Sequence, residues 1–141
     1  MRILSVDFGD ARTGIAICDK GELLASPVCV ITEYHFDRLA EKIAEQAKEL
    51  RAEMIVMGNP LNMDGSSGDR SQKAKELAKI VGELTGLKVA MWDERRTTVT
   101  AAEFLNETNV RGKKRKAVID AVSAVIILES YLAYRKNHPE A

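Results

Sequence analysis

Apolar residues gather in three short runs over the first quarter of the chain. The runs cover residues 3–9, 13–18 and 23–31, with turn-forming residues between them. Runs of this length that are rich in β-branched side chains are typical of buried strands. Pro27 indicates that the third strand lies at a sheet edge, because proline cannot donate a ladder hydrogen bond. We therefore predict a meander of three strands.

The spacing of apolar residues becomes helical after this meander. Between residues 36 and 50 apolar side chains recur every three or four positions, which predicts an amphipathic helix. Residues 54–57 and 87–92 read as two further strands, and a second amphipathic helix between them ends at Gly86. Residues 58–68 have the composition of a loop, and a loop of that length inside a compact domain is usually functional.

The last third of the chain predicts two more helices. One contains residues 101–105, with Thr98 or Thr100 as its cap, and the other covers residues 117–134. The complete pattern predicts an α/β fold with a five-stranded mixed sheet flanked by helices. The sheet would combine an antiparallel meander of three strands with two parallel strands.

Length and charge narrow the possible functions. A chain of 141 residues predicts one domain spanning 1–141. Lys and Arg (21) balance Asp and Glu (21), so any affinity for nucleic acid must come from local basic clusters. No apolar run is long enough for a membrane span, so we expect a cytoplasmic protein without a membrane partner. The two cysteines, Cys18 and Cys29, are expected to be reduced thiols.

Three carboxylates occupy positions where a charge is costly. Asp7 ends the first strand, Glu94 follows the fifth, and Asp120 lies on the apolar stripe of the last helix. Each has an ordinary explanation by itself: a strand-end turn, a solvated strand end, and a favourable helix dipole. Together they would repel by roughly 4 kcal/mol per pair at about 4 Å and an effective dielectric near 20. The cluster therefore predicts a bound cation.

The chemistry of these side chains indicates which cation. Oxygen ligands suit Mg²⁺ or Mn²⁺, whereas zinc would need histidine or cysteine spacing that the sequence lacks. His35 and His138 stand alone and are expected at the surface. An acidic cluster that holds two hard cations is a recurring device for phosphodiester hydrolysis. We therefore predict a metal-dependent nuclease with Asp7, Glu94 and Asp120 as its catalytic and metal-binding residues.

Basic and polar residues would then hold the phosphates of the substrate. Residues 111–116 include five basic residues, and we predict that they form a mobile basic loop, for which a merely solvated charge run is the alternative. The segment 62–68 leads into a helix N-terminus, which favours anion binding. The candidate substrate-binding residues are Arg12, Asn62, Gly65, Ser66, Arg70, Arg95, Arg96, Thr97, Lys113, Lys114 and Arg115.

Four motifs in order resemble the YqgF family. They are Asp7-Phe8-Gly9 with residues 12–16, then residues 58–66, 93–98 and 120–132. The resemblance implies a ribonuclease H-like fold and processing of the 5′ end of pre-16S ribosomal RNA, hence contact with ribosomal precursor particles. It also implies that Asp7, Glu94 and Asp120 are the metal-binding acids. The sequence departs from the family pattern at Ala11, where lysine is common, and at Asn59, where leucine is usual.

Other functions remain open at this point. The family is also described as Holliday-junction-resolvase-like, and cleavage of four-way DNA would normally need two active sites, whereas we expect a monomer or a weak homodimer. A non-catalytic ribosome-assembly factor that binds RNA is a second alternative. A sugar-kinase or actin-like protein also opens with an Asp-x-Gly turn, but it needs two such domains. Pre-16S RNA is favoured over junction DNA by the resemblance alone.

Overall fold

The computed structural model describes residues 1–9, 11–61, 64–96 and 112–139, without the side chains of Arg96 and of residues 112–120. Within these ranges five strands and three α-helices follow one another, with a 3₁₀ turn at Glu94–Arg96. They are β1 (Ile3–Asp7), β2 (Arg12–Cys18), β3 (Ala25–Thr32), α1 (Phe36–Glu49), β4 (Met54–Asn59), α2 (Asp69–Thr85), β5 (Val89–Asp93) and α3 (Gly112–Asn137).

All five strands belong to one mixed sheet in the order β3-β2-β1-β4-β5. β1 pairs antiparallel with β2, and β2 antiparallel with β3. β1 pairs parallel with β4, and β4 parallel with β5. The predicted sheet of a three-stranded meander plus two parallel strands is therefore confirmed. Pro27 lies in the edge strand β3, as its missing N–H group predicts.

Helices cover both faces of the sheet. Leu4 and Val6 of β1 pack with apolar residues of α1 and α2 on one face, whereas Ile3 packs with apolar residues of α3 on the other. This alternation follows from the period of two along a strand. Ser5 is fully buried, and its Oγ donates to the backbone oxygen of Ala124 in α3 at 2.7 Å. The hydrogen bond fixes α3 on β1.

The fourth strand is longer than its apolar run predicts. Gly58 and Asn59, which we assigned to the loop, pair with Trp92 and Asp93 of β5. Glycine and asparagine disfavour strands locally, but the parallel pairing with β5 outweighs this preference. The described loop between β4 and α2 is therefore shorter than 58–68.

Two further boundaries differ from the predictions. The prediction of a mobile loop over 111–116 is wrong for residues 112–116, because α3 begins at Gly112 rather than near residue 117. Lysine and arginine are good helix formers, so a basic run can extend an adjoining helix. β3 begins at Ala25 instead of residue 23, since the Asp19 carboxylate accepts hydrogen bonds from the N–H groups of Leu23 and Leu24 and holds both in the turn.

Three other predictions concern a fourth helix, the two cysteines and membrane spans. The helix predicted around 101–105, with its cap at Thr98 or Thr100, lies outside the described residues. Cys18 and Cys29 are both free thiols. In the part of the chain that the structure describes, no helix combines the length and the apolar character that crossing a bilayer would require.

Candidate active site at the edge of the sheet

Three parallel strands end at the same edge of the sheet, and each ends on a polar residue. β1 ends at Asp7, β4 at Asn59 and β5 at Asp93. The 3₁₀ turn that follows β5 begins at Glu94. Ligands of α/β sheets bind beyond the carboxyl ends of the strands, so this edge is the natural place for a functional site.

The side chains of Asp7 and Glu94 meet at this edge. Burial raises the pKa of Glu94, and this effect outweighs a hydrogen bond from Asp7 and the charge of Arg70, which both lower it. The negative charge of Asp93 raises it further. Two carboxyl groups can hydrogen-bond to each other only when they share a proton. A divalent cation could take the place of that proton and neutralise both groups.

The backbone of α3 passes over β1 close to the same edge. The Ser5–Ala124 hydrogen bond joins the two elements at a point two residues before Asp7 and one helical turn after residue 120. The side chain of Asp120, the third predicted acid, lies outside the described residues. The role of Ser5 was not predicted, although a serine inside an apolar run is itself a signal of a buried hydrogen bond.

Arg95 lies beside the acidic pair but is bound to a neighbour. Its Nε donates to Asp93 Oδ1 at 3.0 Å and its Nη2 to Asp93 Oδ2 at 2.7 Å, and this contact raises the pKa of Arg95. A Cβ atom on Gly65 would lie 3.5 Å from Arg95 Nη1. Next to it, Ser66 donates to Asp64 Oδ1 from both its backbone nitrogen and its Oγ. Gly65, Ser66 and Arg95 thus form one group.

Two other predicted basic residues lie near the edge. Arg70 is in the first turn of α2, and its charge acts on Glu94. Arg12 begins β2, two residues before Gly14, which pairs with Asp7. The other predicted substrate-binding residues have no described side chain. They are Asn62, Arg96, Thr97, Lys113, Lys114 and Arg115.

A chain of buried hydrogen bonds holds the N-terminus of α2 against β4. Ser71 Oγ donates to Asn59 Oδ1 at 2.5 Å, and Ser67 Oγ donates to Ser71 Oγ at 2.8 Å. Ser71 is fully buried. This contact was not predicted, although Ser71 stands at helical spacing before the apolar residue Ala74. Asn59, one of the two departures from the YqgF pattern, therefore has a structural role here.

The donor atoms at this edge fit a hard divalent cation. Asp7 and Glu94 supply carboxylate oxygens, the ligands that Mg²⁺ and Mn²⁺ prefer. Among the described residues, no three acidic, histidine or cysteine side chains are grouped closely enough to hold a metal. The described part of the site therefore provides two acidic ligands, Asp7 and Glu94, in contact with each other at the end of β1.

Comparisons with known proteins agree with the motifs. A sequence model of the RuvX family, described as "Holliday junction resolvase", matches residues 1–134. A protein of Agathobacter rectalis is 37% identical over 140 residues, covering 97% of this chain and 98% of the relative. A protein of Halothermothrix orenii is 41% identical over 137 residues, with 97% and 98% covered. Both carry the name "Putative pre-16S rRNA nuclease".

Solved structures share the fold. The structure titled as Thermus thermophilus RuvC in complex with a Holliday junction substrate matches with a TM-score of 0.64 at 12% identity, covering 96% of each chain. A fowlpox virus resolvase with Holliday junction DNA matches with a TM-score of 0.61, also at 12% identity, over 95% of this chain and 98% of that one. At such low identity these matches establish the ribonuclease H-like fold alone.

Proposed function

This chain belongs to the RuvX family, which is the YqgF family that its motifs resemble. We propose that it is a divalent-metal-dependent nuclease that processes the 5′ end of pre-16S ribosomal RNA. Residues 1–141 would form a single ribonuclease H-like domain. The protein would act on ribosomal precursor particles in the cytoplasm, as a monomer or a weak homodimer.

The observation that carries the proposal is the contact between two carboxyl groups at the end of β1. Burial raises the pKa of Glu94 while Asp7 lies in hydrogen-bonding contact with it. A pair of acids in this arrangement is unfavourable for stability at neutral pH, which is common for groups retained for function. In our proposal Asp7 and Glu94 hold Mg²⁺ or Mn²⁺ together with Asp120 from α3.

The bound ion would supply Lewis acidity at the scissile phosphate and would activate the attacking water. The chain's own residues do the rest. The partly buried Glu94 keeps its carboxylate oriented toward Asp7, so the two ligands are organised before substrate arrives. Arg12 and Arg70 would hold phosphates that flank the cleaved bond. The group of Gly65, Ser66 and Arg95 would contact neighbouring phosphates of the RNA backbone.

The name carried by relatives at 36–41% identity favours ribosomal RNA as the substrate. The description of the family model favours a four-way DNA junction instead, and this is the second candidate. Resolving a junction requires two coordinated cuts, hence a dimer with two sites. A protein that binds RNA without cutting it is the third possibility, and it would not require the acids.

Cleavage of defined substrates tests the proposal. Purified protein with Mn²⁺ is incubated in parallel with a 5′-extended 16S precursor fragment and with a four-way DNA junction. We expect cleavage of the RNA, and loss of that cleavage in Asp7→Asn and Asp120→Asn. Equal cleavage by the wild type and both variants would sink the assignment of the acids. Cleavage of the junction alone would show that the substrate is DNA, whereas the proposed hydrolysis of phosphodiester bonds would still hold.

Salt dependence tests the basic residues at the start of α3. Replacing Lys113, Lys114 and Arg115 by glutamine should weaken RNA binding and reduce the slope of log affinity against log salt by about 2, since each phosphate contact to a single strand contributes about 0.7. The measurement is fluorescence anisotropy at several salt concentrations. An unchanged slope would show that these residues are a solvated charge run.

A further inference from the structure

Gly58 lies between the two acids, although it carries no functional group. It pairs with Trp92 of β5, and the preceding residue, Met57, pairs with Val6 of β1. The parallel register therefore sets Gly58 beside Asp7 in the middle strand of the three. Glu94 follows β5, on the far side of β4. To reach Asp7, its side chain has to pass over β4 at Gly58.

The space above Gly58 is filled by that side chain. A Cβ atom added to Gly58 would lie 3.1 Å from both Cγ and Cδ of Glu94, and 2.7 Å from Cδ1 of Ile127 in α3. All three distances are closer than ordinary van der Waals contact between carbon atoms, and the distance to Ile127 is the shortest. Even the smallest side chain at this position would therefore press on the Glu94 carboxylate.

The backbone conformation offers no other reason for a glycine at this position. Among the described residues, the glycines with positive φ are Gly65 and Gly86, and Gly58 has the extended conformation of a strand. A glycine inside a strand lowers stability and marks a close approach of another group. At Gly58 the approaching groups are the side chain of Glu94 and, nearest of all, Cδ1 of Ile127.

We propose that Gly58 is a positioning residue whose missing side chain opens the path by which the Glu94 carboxylate crosses β4 to Asp7. The inference rests on the proposed function, because the pair of acids has to assemble in order to bind a divalent cation. It adds a residue that makes no contact with the ion itself. Gly58 sets the separation of the two carboxylates through the packing of Glu94.

The test measures Mn²⁺ binding by isothermal titration calorimetry, without substrate. Gly58→Ala should raise the dissociation constant about 10- to 100-fold, the range typical of losing a contact that orients a ligand. The matched control is Gly82→Ala in α2, where a Cβ atom would make ordinary contacts of 3.6 Å to Leu87 and Val89. This control should bind Mn²⁺ as the wild type does.

A second substitution separates the effect on Glu94 from the effect on Ile127. Ile127→Val removes the Cδ1 atom that Gly58→Ala would crowd, so the double variant should regain thermal stability but not Mn²⁺ affinity. Recovery of wild-type affinity in the double variant would show that crowding of Ile127 caused the loss, and it would overturn the inference.

Shortening the acid itself is a second test of the contact between Gly58 and Glu94. Glu94→Asp withdraws the carboxylate by one methylene group and should also weaken Mn²⁺ binding. Its effect should not add to that of Gly58→Ala, because both variants break the same contact; full additivity would contradict the inference. If the wild type itself binds no Mn²⁺, the proposed function fails. If it binds and Gly58→Ala binds equally, only the role of Gly58 fails.

Discussion

Two glutamates at opposite ends of the sheet have opposite surroundings. Glu22, in the turn after β2, receives a hydrogen bond from Arg135 Nε at 2.7 Å and another from the N-terminal amine of Met1 at 3.0 Å. These contacts, the one with Arg135 above all, lower the pKa of Glu22. At the other end Glu94 lies against Asp7, and burial raises its pKa.

The difference shows how a structural carboxylate can be distinguished from a candidate functional one. Glu22 closes the contact between the C-terminal end of α3 and the start of the chain, and the protein itself supplies its positive partners. Glu94 is held beside a second acid, with the charge of Arg70 too weak to offset its burial. In the proposed function a divalent cation would supply the positive charge between these two acids.

The comparison is tested most strongly by nuclease activity in two isosteric variants. Glu94→Gln should reduce cleavage of the precursor RNA by roughly 10³-fold, which corresponds to about 4 kcal/mol in activation free energy. Glu22→Gln should retain activity close to that of the wild type at 25 °C. Rates under single-turnover conditions with Mn²⁺ check both. An equal loss in the two variants would remove the functional distinction between the two ends.

Ser5 joins β1 to α3, so its removal should affect both stability and cleavage. Ser5→Ala deletes a buried hydrogen bond to Ala124 and should lower the free energy of unfolding by roughly 1–2 kcal/mol. Because the same bond holds α3 over β1 next to Asp7, cleavage should fall as well. Urea unfolding and the cleavage assay measure the two effects. Loss of stability with fully retained activity would show that α3 is positioned by other contacts.

Stability should respond to the two glutamates in opposite directions. Glu22→Gln should lower the free energy of unfolding by about 1 kcal/mol, a usual value for a partly exposed ion pair with good geometry. Glu94→Gln should leave it unchanged or raise it in metal-free protein, because it removes a carboxyl group whose ionised form is disfavoured by burial. Urea unfolding in EDTA is the measurement. If Glu94→Gln destabilised the protein as much as Glu22→Gln, this would contradict the functional role proposed for Glu94.

The pH dependence of stability has opposite signs at the two ends. The pKa of Glu22 is lowered from 4.5, so its stabilising contribution is present above that value and is lost as pH falls through the lowered pKa. The pKa of Glu94 is raised from 4.5, so its contribution is present below that value and is lost as pH rises through the raised pKa. Relative to the wild type, Glu94→Gln should therefore gain stability as pH rises above about 4.5.

Thermal unfolding of metal-free protein between pH 4 and 8 would measure this small effect. Excess Mn²⁺ should remove this advantage of Glu94→Gln at high pH, because the metal would bind the wild-type carboxylates and neutralise them. A wild-type protein that gains stability relative to Glu94→Gln as pH rises would contradict the raised pKa.

The sequence was sufficient for those features that depend on local pattern. The periods of two and of three to four predicted every described strand and helix, and Pro27 indicated the edge strand correctly. The approach of Glu94 to Asp7 agrees with the predicted acidic cluster, since Asp7 ends β1 and Glu94 directly follows β5 at the same edge of the sheet. The roles of these acids and of Asp120 stay predictions.

The features that the sequence did not reveal depend on contacts between distant segments. Gly58 and Asn59 have the composition of a loop, and only their pairing with β5 makes them strand residues. The basic run after Gly112 continues a helix that is anchored elsewhere, at Ala124. Arg95 was predicted to contact a phosphate, and in the structure its guanidinium is bound to Asp93, two residues away.

X-ray diffraction from crystals grown with Mn²⁺ tests the central claim most directly, because the anomalous signal locates the ion without assumptions about activity. We expect an anomalous peak that bridges the carboxylates of Asp7 and Glu94 in the wild type and that is absent in Glu94→Gln. A wild-type protein that cleaves RNA in the presence of Mn²⁺, yet binds the ion only at other positions in the crystal, would contradict the account.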